Sequence, residues 1–285
     1  MRNKYLGAFA NYYLHYLKEY VKAGIKVKAL TPQNEIQTEQ YGLMPACVWH
    51  PESEASFVRD HLVPLLKENK MEDIEFWLLD HNYGMWERPA WMLRDDGLKK
   101  VVKGVAFHPY EGPAECMTLH HETHPEIDLH MTEMGALFDT SAENITKNGT
   151  DYINMMRNWS RSIFLWNLAL DETSHPNIGP FMGNREGGGV IQINSKTHEV
   201  RYNGTYWALS HFSKFVKRGA VHIESESKVK DVAHVAFINP DGEYVVVLSN
   251  PGDVQFAGLV IGGKYAQIII PECSLCTLTF DRTVL

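Results

Sequence analysis

Basic residues are scarce in this chain. It carries 27 Lys and Arg against 35 Asp and Glu in 285 residues, a formal net charge of −8, and no block of Lys or Arg interrupts that balance. A nucleic-acid partner needs a basic face that releases counterions from phosphates, so the charge argues against one. Cysteine is also sparse. Cys47, Cys116, Cys273 and Cys276 form no regular framework, so stability is expected to come from the core rather than from disulfides. Cys273-Ser-Leu-Cys276 has the C-x-x-C form, but it lies in a β-rich tail with neither a second Cys pair nor a following thioredoxin-like helix, and it is assigned no metal or redox role. Long apolar runs are missing too. No stretch is long enough to span a bilayer, and Lys4, Lys18, Glu19 and Lys22 break up the apolar residues near the N-terminus. No secretory signal is read there, and the default expectation for location is the cytoplasm. Asn144, Asn148, Asn158 and Asn203 begin glycosylation sequons, which matter only on a secreted chain.

What is present is a large apolar content, 44% of the chain, enough for a substantial core. Leu6, Phe9, Tyr13, Leu17 and Tyr20 recur at helical spacing up to Gly24 and predict an amphipathic helix with these residues inward. An apolar strand to Thr31 follows. Ser53 is the expected N-cap of a second helix, with Phe57, Val58, Leu62, Leu65 and Leu66 inward and a kink at Pro64. Strands are then predicted at Ile74 to Asp80, Gly104 to His108, Ile127 to Thr132 and Ser162 to Trp166. Helical stretches separate them near Trp91 to Val102, Pro113 to Glu122 and Tyr152 to Asn158. Five strands alternating with helices mean a parallel sheet with helical crossovers.

Near Gly187-Gly-Gly189 the texture changes to short runs at Val190–Ile193, His234–Ile238, Tyr244–Leu248, Phe256–Ile261 and Gln267–Ile270. Asn239-Pro-Asp-Gly242 and Asn250-Pro-Gly252 are turn signals between them, as in an antiparallel sandwich. The boundary is placed near Glu186. The triple glycine lacks the preceding strand, following helix and Gly-Lys-Ser/Thr ending of a phosphate loop, and is read as linker.

Two glutamates stand at the ends of apolar strands: Glu35 in Leu30-Thr-Pro-Gln-Asn-Glu35 and Glu133 in Ile127-Asp-Leu-His-Met-Thr-Glu133. A strand covered by helices stops being apolar at its C-terminal rim, where a carboxylate can face a cleft. Retaining hydrolysis of a glycoside needs one carboxylic acid under the leaving oxygen and one carboxylate beneath the anomeric carbon, about 5–5.5 Å apart. Strand ends distant in sequence can deliver that pair. Asn34 offers an amide to a sugar hydroxyl. Tyr110 is placed to hold an ionised Glu133, whose negative charge would keep Glu35 protonated longer. His108 and Tyr110 after one strand, and Trp166 and Asn167 after the last, supply the ring faces and fixed polar groups that a pyranose stacks on and bonds to.

These segments resemble glycoside hydrolase family 30, the group of glucosylceramidase, β-glucosidases, β-xylosidases and β-1,6-glucanases. Leu30 to Glu35 looks like the family's acid/base strand, Met131-Thr-Glu133 like its nucleophile strand, and Gly104-Val-Ala-Phe-His-Pro-Tyr110 like the strand between. Trp166-Asn-Leu-Ala-Leu170 and His211-Phe-Ser-Lys-Phe215 are similar to later segments. The resemblance implies a partial (β/α)8 TIM barrel of the last five strands in residues 1–186, followed by a C-terminal antiparallel β-sandwich in 187–285. It implies a retaining β-glycosidase with Glu133 as nucleophile and Glu35 as acid/base, with Asn34, His108, Tyr110 and Trp166 lining the sugar subsite. Asp80 matches a family aspartate near the site. A β-linked glucoside is the first choice of substrate, with xylose and fucose as alternatives, and neither cofactor nor metal is expected. Family members close an eight-stranded barrel with the acid/base after the fourth strand, whereas one helix precedes Glu35 here. The expectation is therefore an open edge and weak activity. The alternatives are a non-catalytic carbohydrate-binding fragment and a homo-oligomer that covers the edge.

Other patterns receive plainer readings. His120-His-Glu-Thr-His124 departs from the His-Glu-x-x-His spacing and is read as a solvated helix end. Tyr12, Tyr13, Tyr16 and Tyr20 are read as core, with association as their use if the face is left open. Trp77 is read as core, and Trp86 and Trp91 are divided between packing and sugar stacking.

Overall fold

The computed structural model describes residues 2–38, 46–135, 138–177 and 188–281. They form two compact units, Met1–Met134 with Trp159–Phe164, and Gly135–Asn158 with Leu165–Leu285. The boundary expected near Glu186 falls outside the described residues.

In the first unit, helix α1 (Leu6–Lys22) buries Leu6, Ala10, Leu14 and Leu17, one stripe at four-, four- and three-residue spacing. The tyrosines belong to other sides of the helix. Tyr12 is 68% exposed, Tyr16 40% and Tyr20 39%, which corrects the reading of these rings as core. Tyr13 is half-buried and donates its hydroxyl to the carbonyl of Pro32 at 2.8 Å. After the short strand β1 (Ala29–Leu30), a long helical segment runs through α2 (Pro51–Ser56), a π-helical stretch Phe57–Leu62 and α3 (Val63–Glu68). It starts at Pro51 after an extended His50 rather than at the expected Ser53 cap. Proline suits the first helical position because its φ is preset and its missing N–H would be unpaired there anyway. Pro64, which cannot donate to the helical ladder, follows directly on the π-helical stretch that loosens it.

The other elements of the sheet unit are β2 (Glu75–Asn82), α4 (Glu87–Met92), α5 (Asp96–Lys99), β3 (Val102–His108), α6 (Glu115–Thr123), β4 (Asp128–Met131) and β5 (Ser160–Ile163). The sheet runs β1-β2-β3-β4-β5 with every pairing parallel, as the alternation of strands and helices predicts. Among the described residues β1 and β5 each pair on one side only. Trp77 is not core. It is half-buried, lies against Gly104, where a Cβ would come within 2.6 Å of its ring, and stacks on His130 with ring centroids 3.7 Å apart. The His120 motif is also less solvated than expected. His120 is fully buried on α6 and His121 stacks on Trp159 at 3.7 Å.

The second unit opens with α7 (Ala142–Arg157), capped by the Ser141 hydroxyl, and so begins well before the predicted Tyr152. A small sheet follows in the order β6-β7-β8, made of β6 (Ala169–Leu170), β7 (Ile191–Ile193) and β8 (Val200–Tyr202), and then helix α8 (Gly204–Ser213). Strands β9 (Val221–Ile223), β10 (Ala233–Ile238), β11 (Tyr244–Asn250), β12 (Gln255–Ile261), β13 (Lys264–Ile270) and β14 (Ser274–Phe280) complete it. One antiparallel sheet is ordered β14-β11-β10-β9, and β12 and β13 form a hairpin across Gly262 and Gly263, both at positive φ. Ala236, Val246 and Leu248 pack with Ala257, Ile261, Ile268 and Ile270 between them, which makes the sandwich core. Trp166, expected to end the fifth strand, belongs to this unit and pairs with Gly135 in an isolated parallel bridge.

Candidate active site

The chain leaves β1 through Thr31-Pro-Gln-Asn34 and places Glu35 at φ 45°, in the left-handed region, with its N–H donating to the Asp80 carbonyl at 2.9 Å. A side chain other than glycine held there costs energy and persists where the surroundings impose it. β2 imposes the matching irregularity. Leu79 and Asp80 both have positive φ, and the pairing of β2 with β3 slips between Leu79 and His81. Such a bulge breaks the alternation of side chains, and Asp80, His81 and Asn82 are consecutively buried.

Asp80 is the hub. Its carboxylate accepts from Thr31 Oγ1 at 2.6 Å, from Thr132 Oγ1 at 2.7 Å and from His108 Nε2 at 3.2 Å. His108, fully buried at the end of β3, reaches Glu35 Oε1 with its other nitrogen, Nδ1, at 3.4 Å. Thr132 directly precedes Glu133, and the Tyr110 hydroxyl donates to Glu133 Oε1 at 3.0 Å. Both glutamates thus meet one Asp80–His108 pair, Glu35 by a hydrogen bond and Glu133 through the neighbouring Thr132.

The electrostatics follow from that arrangement. Burial would favour neutral His108, but hydrogen bonds to Asp80 and Glu35 and the nearby charges of Asp80 and Glu133 push it from 6.5 up to about 9. Burial would likewise raise Asp80, yet His108, Thr31 and Thr132 hold it below the usual carboxylate range. Glu133 moves the other way. Burial lifts it above an ordinary glutamate, Glu35 and Asp80 add to the rise, and His108 and Tyr110 oppose it. Burial lowers His81, whose ring lies 6.3 Å from that of His108.

A stability prediction follows with a defined sign. A histidine whose pKa is raised by folding stabilises the native state fully below its unfolded pKa of 6.5, and that contribution is lost as pH rises through about 9. The shift corresponds to on the order of 3 kcal/mol. Urea unfolding at pH 6 and pH 10 is expected to show the loss, and His108→Phe to flatten it.

Beside Asp80, Thr132 and Asn34 a cavity of about 690 Å³ opens, walled by Tyr12, Tyr16 and Trp77 among others. Its size and its mixture of rings with a few polar groups suit a small ligand. The predicted Asn34, Glu35, His108, Tyr110 and Glu133 are all in the sheet unit, whereas Trp166 is in the other unit, half-buried beside its bridge to Gly135. Thr31, Thr132 and His81 belong to the site without a motif to mark them, and Asp80 holds more of it than its place at a strand end implies. Their one visible signal is polarity at the ends of apolar strands.

Comparison with known proteins places the chain. The family described as glycosyl hydrolase family 30 TIM-barrel domain matches residues 1–216, and that family's β-sandwich domain matches residues 219–277. The chain belongs to glycosyl hydrolase family 30. An endo-1,6-beta-D-glucanase, neg1, of Aspergillus fumigatus is 28% identical over 254 residues, covering 86% of this chain and 50% of the relative. A putative glucosylceramidase 1 of Caenorhabditis elegans is 26% identical over 270 residues, covering 88% of this chain and 50% of the relative. The crystal structure of SrfJ from Salmonella typhimurium superposes with a TM-score of 0.90 at 25% identity, covering 99% of this chain and 64% of that one. The chain spans about half the length of these curated relatives. Its parallel five-stranded sheet and antiparallel sandwich are the family 30 architecture with a partial barrel.

Proposed function

We propose that this family 30 chain is a retaining β-glycosidase of β-linked glucosides, with Glu133 as nucleophile and Glu35 as acid/base. The observation that carries the reading is the Asp80–His108 pair, which holds Glu35 directly and backs Glu133 through Thr132. Glu133 attacks the anomeric carbon while the bond to the aglycone oxygen breaks and Glu35 gives that oxygen its proton. Water then attacks the same carbon, losing its proton to Glu35 and releasing Glu133. The cationic His108 tempers the negative charge of Glu133 and, once the proton has been given up, that of Glu35. Tyr110 orients the attacking oxygen of Glu133. Two relatives carry glucan and glucosyl names, which supports glucose as the sugar.

Nuclear magnetic resonance of the first product formed from an aryl β-glucoside tests this. The β anomer is expected, and initial release of the α anomer would overturn the double displacement. Glu133 must be ionised to attack, and its raised pKa places the acidic limb of the pH–rate profile above an ordinary glutamate. Tyr110→Phe removes a hydrogen bond to the ionised form and should raise that limb further, by up to about one pH unit. A downward move would contradict the role of Tyr110.

One observation favours a second reading, completion by another polypeptide. β1 and β5 each have a single neighbour among the described residues, and unpaired edges accept strands. If a second copy completes the site, specific activity should rise with protein concentration.

A further inference from the structure

We propose that Glu35, His81 and His108 form a binding site for a divalent transition-metal ion, of which Zn2+ is the probe, and that its occupation disables Glu35 as an acid/base. The three side chains offer ligand atoms that all lie within 4.8 Å of one another. The Glu35 Oε1 to His108 Nδ1 distance is 3.4 Å. Two ligands at ordinary zinc bond lengths and tetrahedral angle stand about 3.4 Å apart, so this edge of the polyhedron is already formed.

Two further features point to a ligand. His81 is 7% exposed, and its Nδ1 has no hydrogen-bond partner among the described residues. A buried ring nitrogen left in that state is costly, and a metal is one group that would satisfy it. His108 shows the second feature. Its Nε2 faces Asp80 Oδ1 at 3.2 Å while Nδ1 faces Glu35. A carboxylate on one imidazole nitrogen is the partner that orients histidine ligands in zinc sites, the other nitrogen giving up its proton to the ion. The ion would take the place of the proton on Nδ1, and the carboxylates of Asp80 and Glu133 would go on balancing a positive charge at that point.

Occupation would tie the Glu35 oxygen to the ion, so it could neither protonate a leaving group nor activate water. The site would act as a reversible brake set by free metal, and the glycosidase reaction itself requires no ion. Exposed histidines such as His50 and His175 can also take zinc, so affinity and position both have to be read.

Calorimetric titration of the unmodified chain with zinc chloride is expected to resolve one site tighter than all others. His81→Phe, which keeps a ring in the space, should weaken that site by about 100-fold or more, whereas Glu133→Gln should leave it in place. Equal affinity in His81→Phe, or no distinct tight site in the unmodified chain, would overturn the proposal. Should His81→Phe not fold, crystals of the unmodified chain soaked in zinc decide the matter by anomalous scattering. A peak between Glu35 and His108 is expected, and peaks confined to exposed histidines would refute the site.

Discussion

Glu133→Gln is expected to lower hydrolysis of an aryl β-glucoside by about four to six orders of magnitude, the scale on which enzymes lose turnover when their nucleophile is removed. The amide keeps the shape and the contact with Tyr110 but has no charge to offer the anomeric carbon. Glu35→Ala should behave differently. General acid catalysis contributes about 10²–10⁴-fold; in kcat/KM that loss should nearly vanish for a glucoside whose leaving group departs without a proton, whereas kcat should still fall because the second step has lost its base. Comparing a nitrophenyl glucoside with an alkyl glucoside in both variants separates the roles. If the kcat/KM of Glu35→Ala were equally impaired on both substrates, or Glu133→Gln kept a tenth of the turnover, the assignment of the two glutamates would fail.

Asp80→Ala should have the largest effect on stability. Asp80 accepts three hydrogen bonds and faces a histidine with no exposed surface. Removing it leaves Thr31 without its acceptor, Thr132 with only the Phe107 carbonyl at 3.4 Å, and His108 with its bond to Glu35 and the nearby charge of Glu133. Breaking a buried pair from one side costs about 3–5 kcal/mol. The sign of the pH dependence identifies the cause. With Asp80 gone, His108 should titrate lower, and the fall in stability expected on raising the pH toward 10 should shrink. Histidine proton resonances and urea unfolding read both effects. A loss below about 1 kcal/mol, with His108 still titrating near 9, would show that Asp80 does not hold it.

The sequence made the sheet and the two glutamates legible because both follow from one rule, that buried parallel strands are apolar until their C-terminal rim. Glu35, His108, Tyr110 and Glu133 all lie just past such runs. Asp80 ends one as well, but its importance depends on the bulge at Leu79 to His81, and a bulge leaves no mark on hydrophobic periodicity. His81 disappears for the same reason, since regular alternation would have turned it away from Asp80. Thr31 and Thr132 act through register with Asp80, which only the assembled strands define.

The tyrosines of α1 show a different limit. Phe9, Tyr13 and Tyr20 fit a helical stripe as well as Leu6, Ala10, Leu14 and Leu17 do, and which stripe is covered depends on what packs against the helix. In the sandwich, β14 could have been found. Cys276, Leu278 and Phe280 are partly buried against the core and alternate with Leu275, Thr277 and Thr279, of which Leu275 is itself buried. The apolar neighbours of Trp166 predict a strand through it, yet β5 stops at Ile163.

Incubation with an activated fluoroglucoside, followed by mass spectrometry of the intact chain and its peptides, tests the nucleophile most directly. A single covalent fluoroglucosyl group on Glu133, lost again when a sugar acceptor is added, is the expected result. A label on another carboxylate, or none while the chain still turns over a glucoside, would contradict a double displacement through Glu133.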